Sequence, residues 1–300
     1  VDFVGVNLQS GVLDVAIATA GPEDGWPVLL LHGFPYDPRC FGAVAEELAA
    51  SGARVLAPYL RGFGPTRFLS DDAPRVGQQA AIGRDVLDLI DTAGLRAPIL
   101  VGFDWGGRAA CVAAALRPSA VGGLVALGGY SIQDIAASVE PTDPLDESRD
   151  WYQYYFHSER GRRGLTQYRR EIAEQLWREW SPTRPVDAHE FALTAPSFDN
   201  PDFVEVVIHS YRHRFGLAPG AATYEADEQL LAQLPSVDVP TIVLDPTEDP
   251  ALHPRTRAEH EEHFTRLLDH RLVPSGHNQP ADAHAEVARA VRDVRAFLTG

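Results

Sequence analysis

Three hundred residues are enough for one large domain or for a domain that carries an insertion. An apolar share of 45% with 23% charged residues is ordinary globular composition and excludes a disordered or fibrous chain. With 26 basic and 42 acidic side chains the net charge is −16, which repels phosphate and argues against nucleic acid or an anionic membrane as partner.

All 26 basic residues are arginine, and lysine is absent. This excludes a Schiff-base or pyridoxal-phosphate lysine and a phosphate loop ending in Gly-Lys-Ser/Thr. Methionine is also absent, so an initiator is expected to have been removed or trimmed. Two cysteines, Cys40 and Cys111, cannot frame a disulfide scaffold or a four-thiolate zinc site. Cys111 lies in an Ala-rich run and reads as a small core residue. Residues 1–20 lack a basic stretch followed by an apolar one, and no apolar run approaches 18 residues. A soluble, cytoplasmic protein is expected.

In chain order, Asp2–Leu8 and Val12–Ala20 read as an antiparallel pair around Gln9-Ser10-Gly11. Val28–Leu31 is a continuous apolar run, the mark of a strand buried on both faces. A helix is expected near Phe41–Ala50, a strand at Arg54–Ala57, a glycine-rich turn at Arg61–Pro65 and a helix at Val76–Ala93. Ile99–Phe103 is another buried strand, followed by a helix of small residues at Gly106–Leu116 and a strand at Val121–Leu127. Strand–helix alternation at this spacing gives the α/β class, a mostly parallel sheet with helices on both faces. Composition changes over residues 131–229, which hold three of five tryptophans and six of nine tyrosines in a helical pattern with Pro-rich breaks at Pro182–Pro185 and Pro196–Pro201. Strands resume at Thr241–Leu244 and His270–Val273, and an amphipathic helix spans Ala281–Leu298. The expected organisation is a core of residues 1–130 and 230–300 interrupted by a helical insertion.

In the segment Gly102-Phe103-Asp104-Trp105-Gly106, a strand ends and a helix begins at once. Flanking glycines permit a strained turn that lifts one side chain clear of the sheet, the place a serine holds in many hydrolases. Here that residue is Asp104, and no Gly-x-Ser-x-Gly occurs. Taken alone, Asp104 could equally be a helix N-cap. The loop His32-Gly33-Phe34-Pro35 directly follows the Val28–Leu31 strand and can aim the Phe34 N–H at that turn. With the Trp105 N–H it would form an oxyanion hole. The same residues fit a simple turn with a cis Phe34–Pro35 bond. Downstream, Asp249 follows one strand and His277 the last, completing the order nucleophile, orienting acid, histidine. Asp245 and Glu248 share the Asp249 loop and compete for its role.

These motifs, with Gly276-His277, resemble the α/β-hydrolase-fold epoxide hydrolases, relatives of the haloalkane dehalogenases, along nearly the whole chain. The resemblance implies an α/β-hydrolase fold with a helical cap over 131–229. Trp151-Tyr152-Gln153-Tyr154-Tyr155-Phe156 looks like the family's first cap motif, which implies that Tyr152 is catalytic, and Ser210-Tyr211-Arg212 implies the partner tyrosine Tyr211. Phe103 stands where many relatives have histidine, which leaves only local packing in question.

A carboxylate nucleophile is ionised without a base and forms an ester on saturated carbon, whose carbonyl water can attack. His277, oriented by Asp249, would deprotonate that water. An epoxide leaves as an alkoxide and benefits from a phenol near pKa ~10, whereas a halide needs only N–H donors. Two cap tyrosines therefore favour epoxide opening to a vicinal diol. Haloalkane dehalogenation is the alternative, as is a biosynthetic or ligand-binding relative with redirected chemistry. Phe34 lacks the side-chain donor that dehalogenases often use, and Trp105 lacks the arginine with which haloacid defluorinases hold a carboxylate. The expected substrate is small, apolar and epoxide-like, contacted by His32, Trp105 and Tyr155, with water as co-substrate. No cofactor is expected, and the protein is expected as monomer or homodimer. The pairs His260/His263 and His209/His213 could each touch a metal ion, but no third ligand presents itself and solvated helix faces are expected; no metal site is assigned. Arg160–Arg163 and Arg169–Arg170 read as an exposed helix face.

Overall fold

The computed structural model describes residues 4–182 and 184–300. Asp2 and Phe3 of the first expected strand, and Thr183 of the Pro-rich break, lie outside the described residues. Among the described residues nine strands form one sheet: β1 (Val4–Ser10), β2 (Leu13–Ala20), β3 (Trp26–Leu31), β4 (Ala53–Pro58), β5 (Arg67–Phe68), β6 (Ile99–Phe103), β7 (Gly123–Leu127), β8 (Thr241–Pro246) and β9 (Leu267–Val273). Their order is β1-β2-β4-β3-β6-β7-β8-β9, with β5 beside β2. β1, β2, β4 and β5 pair antiparallel through β2, and every other pairing is parallel.

Successive residues of a strand face opposite sides of a sheet, so continuous apolar runs need cover on both. Val28, Leu30, Val101 and Val125 face one core with α1 (Gly42–Ala50) and the C-terminal helix, while Leu29, Leu31, Leu100 and Leu124 face another with α2 (Gln79–Thr92) and α3 (Asp104–Leu116). Between β7 and β8 lie α4 (Pro144–Arg149), α5 (Trp151–Phe156), α6 (Glu159–Trp180), α7 (Ala188–Thr194), α8 (Phe203–His213) and α9 (Glu225–Leu231). α4 to α8 pack over the carboxyl edge of the parallel strands, where Trp177 Nε1 donates to the Pro35 carbonyl at 2.8 Å, whereas α9 lies against α2 and α3 on the sheet face. The chain ends with α10 (Arg257–Glu261), α11 (Gln279–Asp282) and α12 (His284–Thr299).

Two expected helices differ at their ends. The helix expected from Val76 starts at Gln79, because the buried Arg61 guanidinium takes the Val76 carbonyl at 2.8 Å and keeps it out of a helical turn. The expected C-terminal helix is broken at Ala283, whose φ of −131° and ψ of 41° are not helical. The Arg160–Arg170 face is exposed as expected, with Arg162 paired to Glu159 and Glu205 and Arg170 to Asp199.

Candidate active site

The last residue of β6 passes directly into α3, so Asp104 must turn the chain by itself. Its φ is +51°, a left-handed conformation unusual for a residue with a side chain. The turn is tight: a Cβ on Gly106 would lie 1.9 Å from the Leu31 carbonyl oxygen, and one on Gly33 would lie 2.6 Å from Asp104 Cβ. Asp104 does not cap its helix. Its Oδ1 accepts instead from the Phe34 backbone N–H at 2.7 Å, and Phe34–Pro35 is a cis peptide. Trp105 follows at the second position of α3, where backbone N–H groups have no intrahelical acceptor. One carboxylate oxygen is thus held by a backbone donor, and the other accepts no hydrogen bond from the described residues.

Asp249 and His277, at the ends of β8 and β9, meet at this turn. His277 Nδ1 lies 2.8 Å from Asp249 Oδ2, so Nδ1 carries the proton and Nε2, buried and without a partner, is the free nitrogen. Burial would lower the imidazole, but the charge and hydrogen bond of Asp249, with the charges of Asp104 and Asp282, outweigh it and raise it above the ordinary histidine value. The competition among loop acids is resolved by position. Asp245 stays in β8 and bonds His260 and His270, and Glu248 is exposed. α6 holds the histidine loop: the Trp180 carbonyl accepts from His277 N at 3.0 Å, and its indole lies 4.7 Å from the imidazole, centroid to centroid. Phe103 packs against Tyr36, Phe41 and His277.

The sequence also matches a known family model. The family described as the alpha/beta hydrolase fold matches residues 27–283. The chain belongs to the α/β-hydrolase fold family. Among solved structures of this family, a candidate epoxide hydrolase from Klebsiella pneumoniae is 41% identical, with a TM-score of 0.94 and 97% of each chain covered. Among curated proteins, epoxide hydrolase B of Mycobacterium tuberculosis is 31% identical over 158 residues, which is 47% of this chain and 43% of that protein. A haloalkane dehalogenase of Mycobacterium marinum is 34% identical over 112 residues, 37% of this chain and 36% of that one. The matches thus span less than half the length of these curated relatives.

Above the α/β-hydrolase turn, aromatic rings close the site. Tyr211 of α8 and Tyr152 of α5 stand 5.3 Å apart by ring centroid, and both pack on Phe34, at 5.5 and 6.2 Å. Tyr211 also meets Trp105 at 5.9 Å. The Tyr211 hydroxyl and Trp105 Nε1 are buried without an aligned hydrogen bond among the described residues, although Trp105 and Tyr152 lie close enough to lower the Tyr211 phenol. Burial raises both phenols; Tyr211, Asp150 and Asp104 raise Tyr152 further, while Arg214 pulls Tyr211 the other way. Both are therefore protonated at neutral pH.

Two expected contacts fall elsewhere. His32 is fully buried; its Nδ1 donates to the Gly33 carbonyl at 3.0 Å and its Nε2 accepts from Leu60 N at 3.1 Å. With both nitrogens engaged, and burial lowering it to about 4, it braces the Gly33 loop as a neutral ring. Tyr155 packs on Trp151 and Phe156, and a Cβ on Gly164 of α6 would sit 1.9 Å from its hydroxyl, so it is not brought to Asp104.

The histidine pairs also behave differently from expectation. His260 is fully buried rather than solvated; it pairs with Asp245, which also takes His270, and its ring lies 4.8 Å from that of His270. These three are the one group among the described residues whose donor atoms lie close enough together for a metal ion, within 4.8 Å. His263 stacks on Tyr130 at 4.1 Å. His209 is engaged at both nitrogens, with Gly77 N and the Pro219 carbonyl. No described helix is long and apolar enough to cross a membrane.

Sequence reasoning missed Tyr36, Trp180, Arg108 and Arg214. The two arginines carried a signal: Arg108 lies four residues after Asp104 and Arg214 three after Tyr211, spacings that share a helix face.

Proposed function

We propose that this protein is an epoxide hydrolase. The observation that carries this reading is the pair of buried, protonated phenols, Tyr152 and Tyr211, facing Phe34 and Trp105 over the Asp104 turn. Asp104 Oδ2 attacks an epoxide carbon; the ester bond from Oδ2 to that carbon forms as the ring C–O bond breaks, and the departing oxygen takes a phenolic proton. Asp104 loses its charge in this step. Because that charge is one cause of the raised His277 imidazole, esterification lowers it and frees the base when it is needed. His277 Nε2 then takes a proton from water, whose oxygen attacks the ester carbon. The oxyanion on Oδ1 is held by the Phe34 N–H and joined by the Trp105 N–H. Collapse of that intermediate breaks the Cγ–Oδ2 bond and releases the diol; the two water protons, one held by His277 and one left on the new carboxyl, go to the departing oxygen and to the tyrosinate, which restores the Asp104 carboxylate.

Halide displacement is the second reading, favoured by one observation: the Trp105 indole N–H is buried and unpaired, a ready halide donor. Intact mass of a His277→Ala variant exposed to an epoxide and a haloalkane distinguishes them. An epoxide adds its whole mass to Asp104, and a haloalkane adds its alkyl group less a hydrogen. A whole-molecule adduct supports the proposal; an alkyl adduct moves the assignment to dehalogenation. No adduct from a broad probe panel favours a binding or biosynthetic role.

A further inference from the structure

Among the described residues three arginines are buried: Arg61, Arg108 and Arg214. Arg61 has what a buried guanidinium needs, a two-point pairing with Asp85 at 2.6 Å on both arms. The other two do not. Arg108 is 8% exposed, its Nε has no partner, and it pairs with no described carboxylate. Arg214 is 9% exposed; one arm donates to Gln153 Oε1 at 3.2 Å, while Nε and Nη2 are unpaired. Asp150 feels the Arg214 charge but forms no ion pair with it; the Gln153 amide donates to Asp150 Oδ1 at 2.6 Å.

Both cations belong to the neighbourhood of the reacting carboxylate. Arg108 lies one turn of α3 beyond Asp104, about 6 Å along the axis, and helical side chains slant back toward the N-terminus, here toward Asp104. The Arg214 guanidinium lies 4.2 Å over the Tyr211 ring, on α8's side of the same site. Arg214 and Gln153 also line a cleft of about 700 Å³ between residues 133–142 and the ends of α5 and α8, so solvent reaches this wall. Burial and then the like charge of Arg214 pull Arg108 down to about 9, still cationic at neutral pH. The two guanidinium groups repel one another, and the negative side chain acting on Arg108 is Asp104, whose charge disappears when it is esterified.

We infer that Arg108 and Arg214 form an anion-binding subsite, and that the epoxide opened by Asp104 carries a carboxylate within a few bonds of its ring. The inference rests on the proposed epoxide chemistry. A carboxylate there satisfies the unpaired donors before attack and remains after Asp104 has become neutral. It also revises the expectation of a wholly apolar substrate: the rings of Phe34, Trp105, Tyr152 and Tyr211 hold the carbon part, and the arginines the charge.

Glycidate and its neutral isostere glycidamide test this. The readout is the ratio of their kcat/KM values in the native protein and in Arg108→Gln, Arg214→Gln and Arg108→Lys. Wild type is expected to favour glycidate, and each Gln variant to lower the ratio at least tenfold, mainly through KM, since a charge-assisted hydrogen bond discriminates by roughly that factor or more. Arg108→Lys, which keeps the charge without the fork, should recover part of the ratio and keeps the test usable if a Gln variant does not fold. A ratio that stays at the wild-type value in the variants, both substrates slowing alike, overturns the inference and makes the arginines structural. Calorimetric binding of glycerate, the diol product, separates this from failure of the epoxide reading. If neither epoxide is turned over, glycerate binding that is lost in Arg108→Gln upholds the anion subsite; absence of glycerate binding to the wild-type protein overturns it.

Discussion

Replacing Tyr211 by phenylalanine should stabilise the protein while it disables epoxide opening. The Tyr211 hydroxyl is fully buried and has no aligned hydrogen bond, although Trp105 and Tyr152 are near. A buried polar group without a partner costs about 1–3 kcal/mol, and the small void left by its oxygen returns part of that, so the net gain should be about 1–2 kcal/mol. With an unfolding entropy of roughly 2.1 cal/mol/K per residue, a chain of this length gains about 2–3 °C in Tm. Its kcat for styrene oxide should fall by about 10²-fold, and by up to about 10⁴-fold when Tyr152→Phe is added, the range for losing a general acid. Scanning calorimetry and diol formation measured on one preparation test both signs. A Tm that drops together with kcat would mean that the hydroxyl supports the fold rather than the reaction. Unchanged kcat in the double variant would refute the assignment of the phenols as acids.

Asp249→Asn removes the charge that raises His277, so the acid limb of the kcat profile should move to lower pH while its plateau falls; a stopped pH series on the variant checks this, and an unmoved limb would detach His277 from that limb. Gly33→Ala puts a methyl 2.7 Å from Asp104 Oδ1 and must displace the Phe34 donor; kcat should drop by about 10²-fold with the far-ultraviolet dichroism retained. Asp245→Asn lies outside the reacting set and should cost about 2 kcal/mol of stability by weakening its bonds to His260 and His270, with kcat kept, as urea denaturation and turnover would report. The two histidines hold the Asp245 carboxyl below the usual range although burial opposes them. A depressed folded-state value means that this stability is present above the unfolded value near 4 and is lost as pH falls through the folded one. Acid denaturation should therefore be steeper in wild type than in Asp245→Asn.

The sequence by itself determined the parts of this protein whose signal is local. The apolar runs at β3 and β6 read as strands covered on both faces, and glycines around Asp104 license the left-handed turn that lifts its carboxylate. Chain order then put Asp249 and His277 after the last two strands, and the parallel register brings every such strand end to one edge of the sheet. What only the tertiary structure decided lies where separate elements meet. Asp245 and Asp249 are four residues apart, yet Asp245 faces His260 and Asp249 faces His277, because Asp245 is still in β8 while Asp249 lies in the loop that turns away beyond it. Tyr152 and Tyr155 share one short helix and point to different neighbours, since the rotation of α5 is fixed by its packing on α6 and α8. His260 is drawn into the core by Asp245 and His270 from two other segments. Arg108 and Arg214 are ordinary helix residues in sequence. They become unpaired charges only when α3 and α8 converge on Asp104, because burial and the absence of a counter-ion are properties of the assembled surroundings, not of the residue.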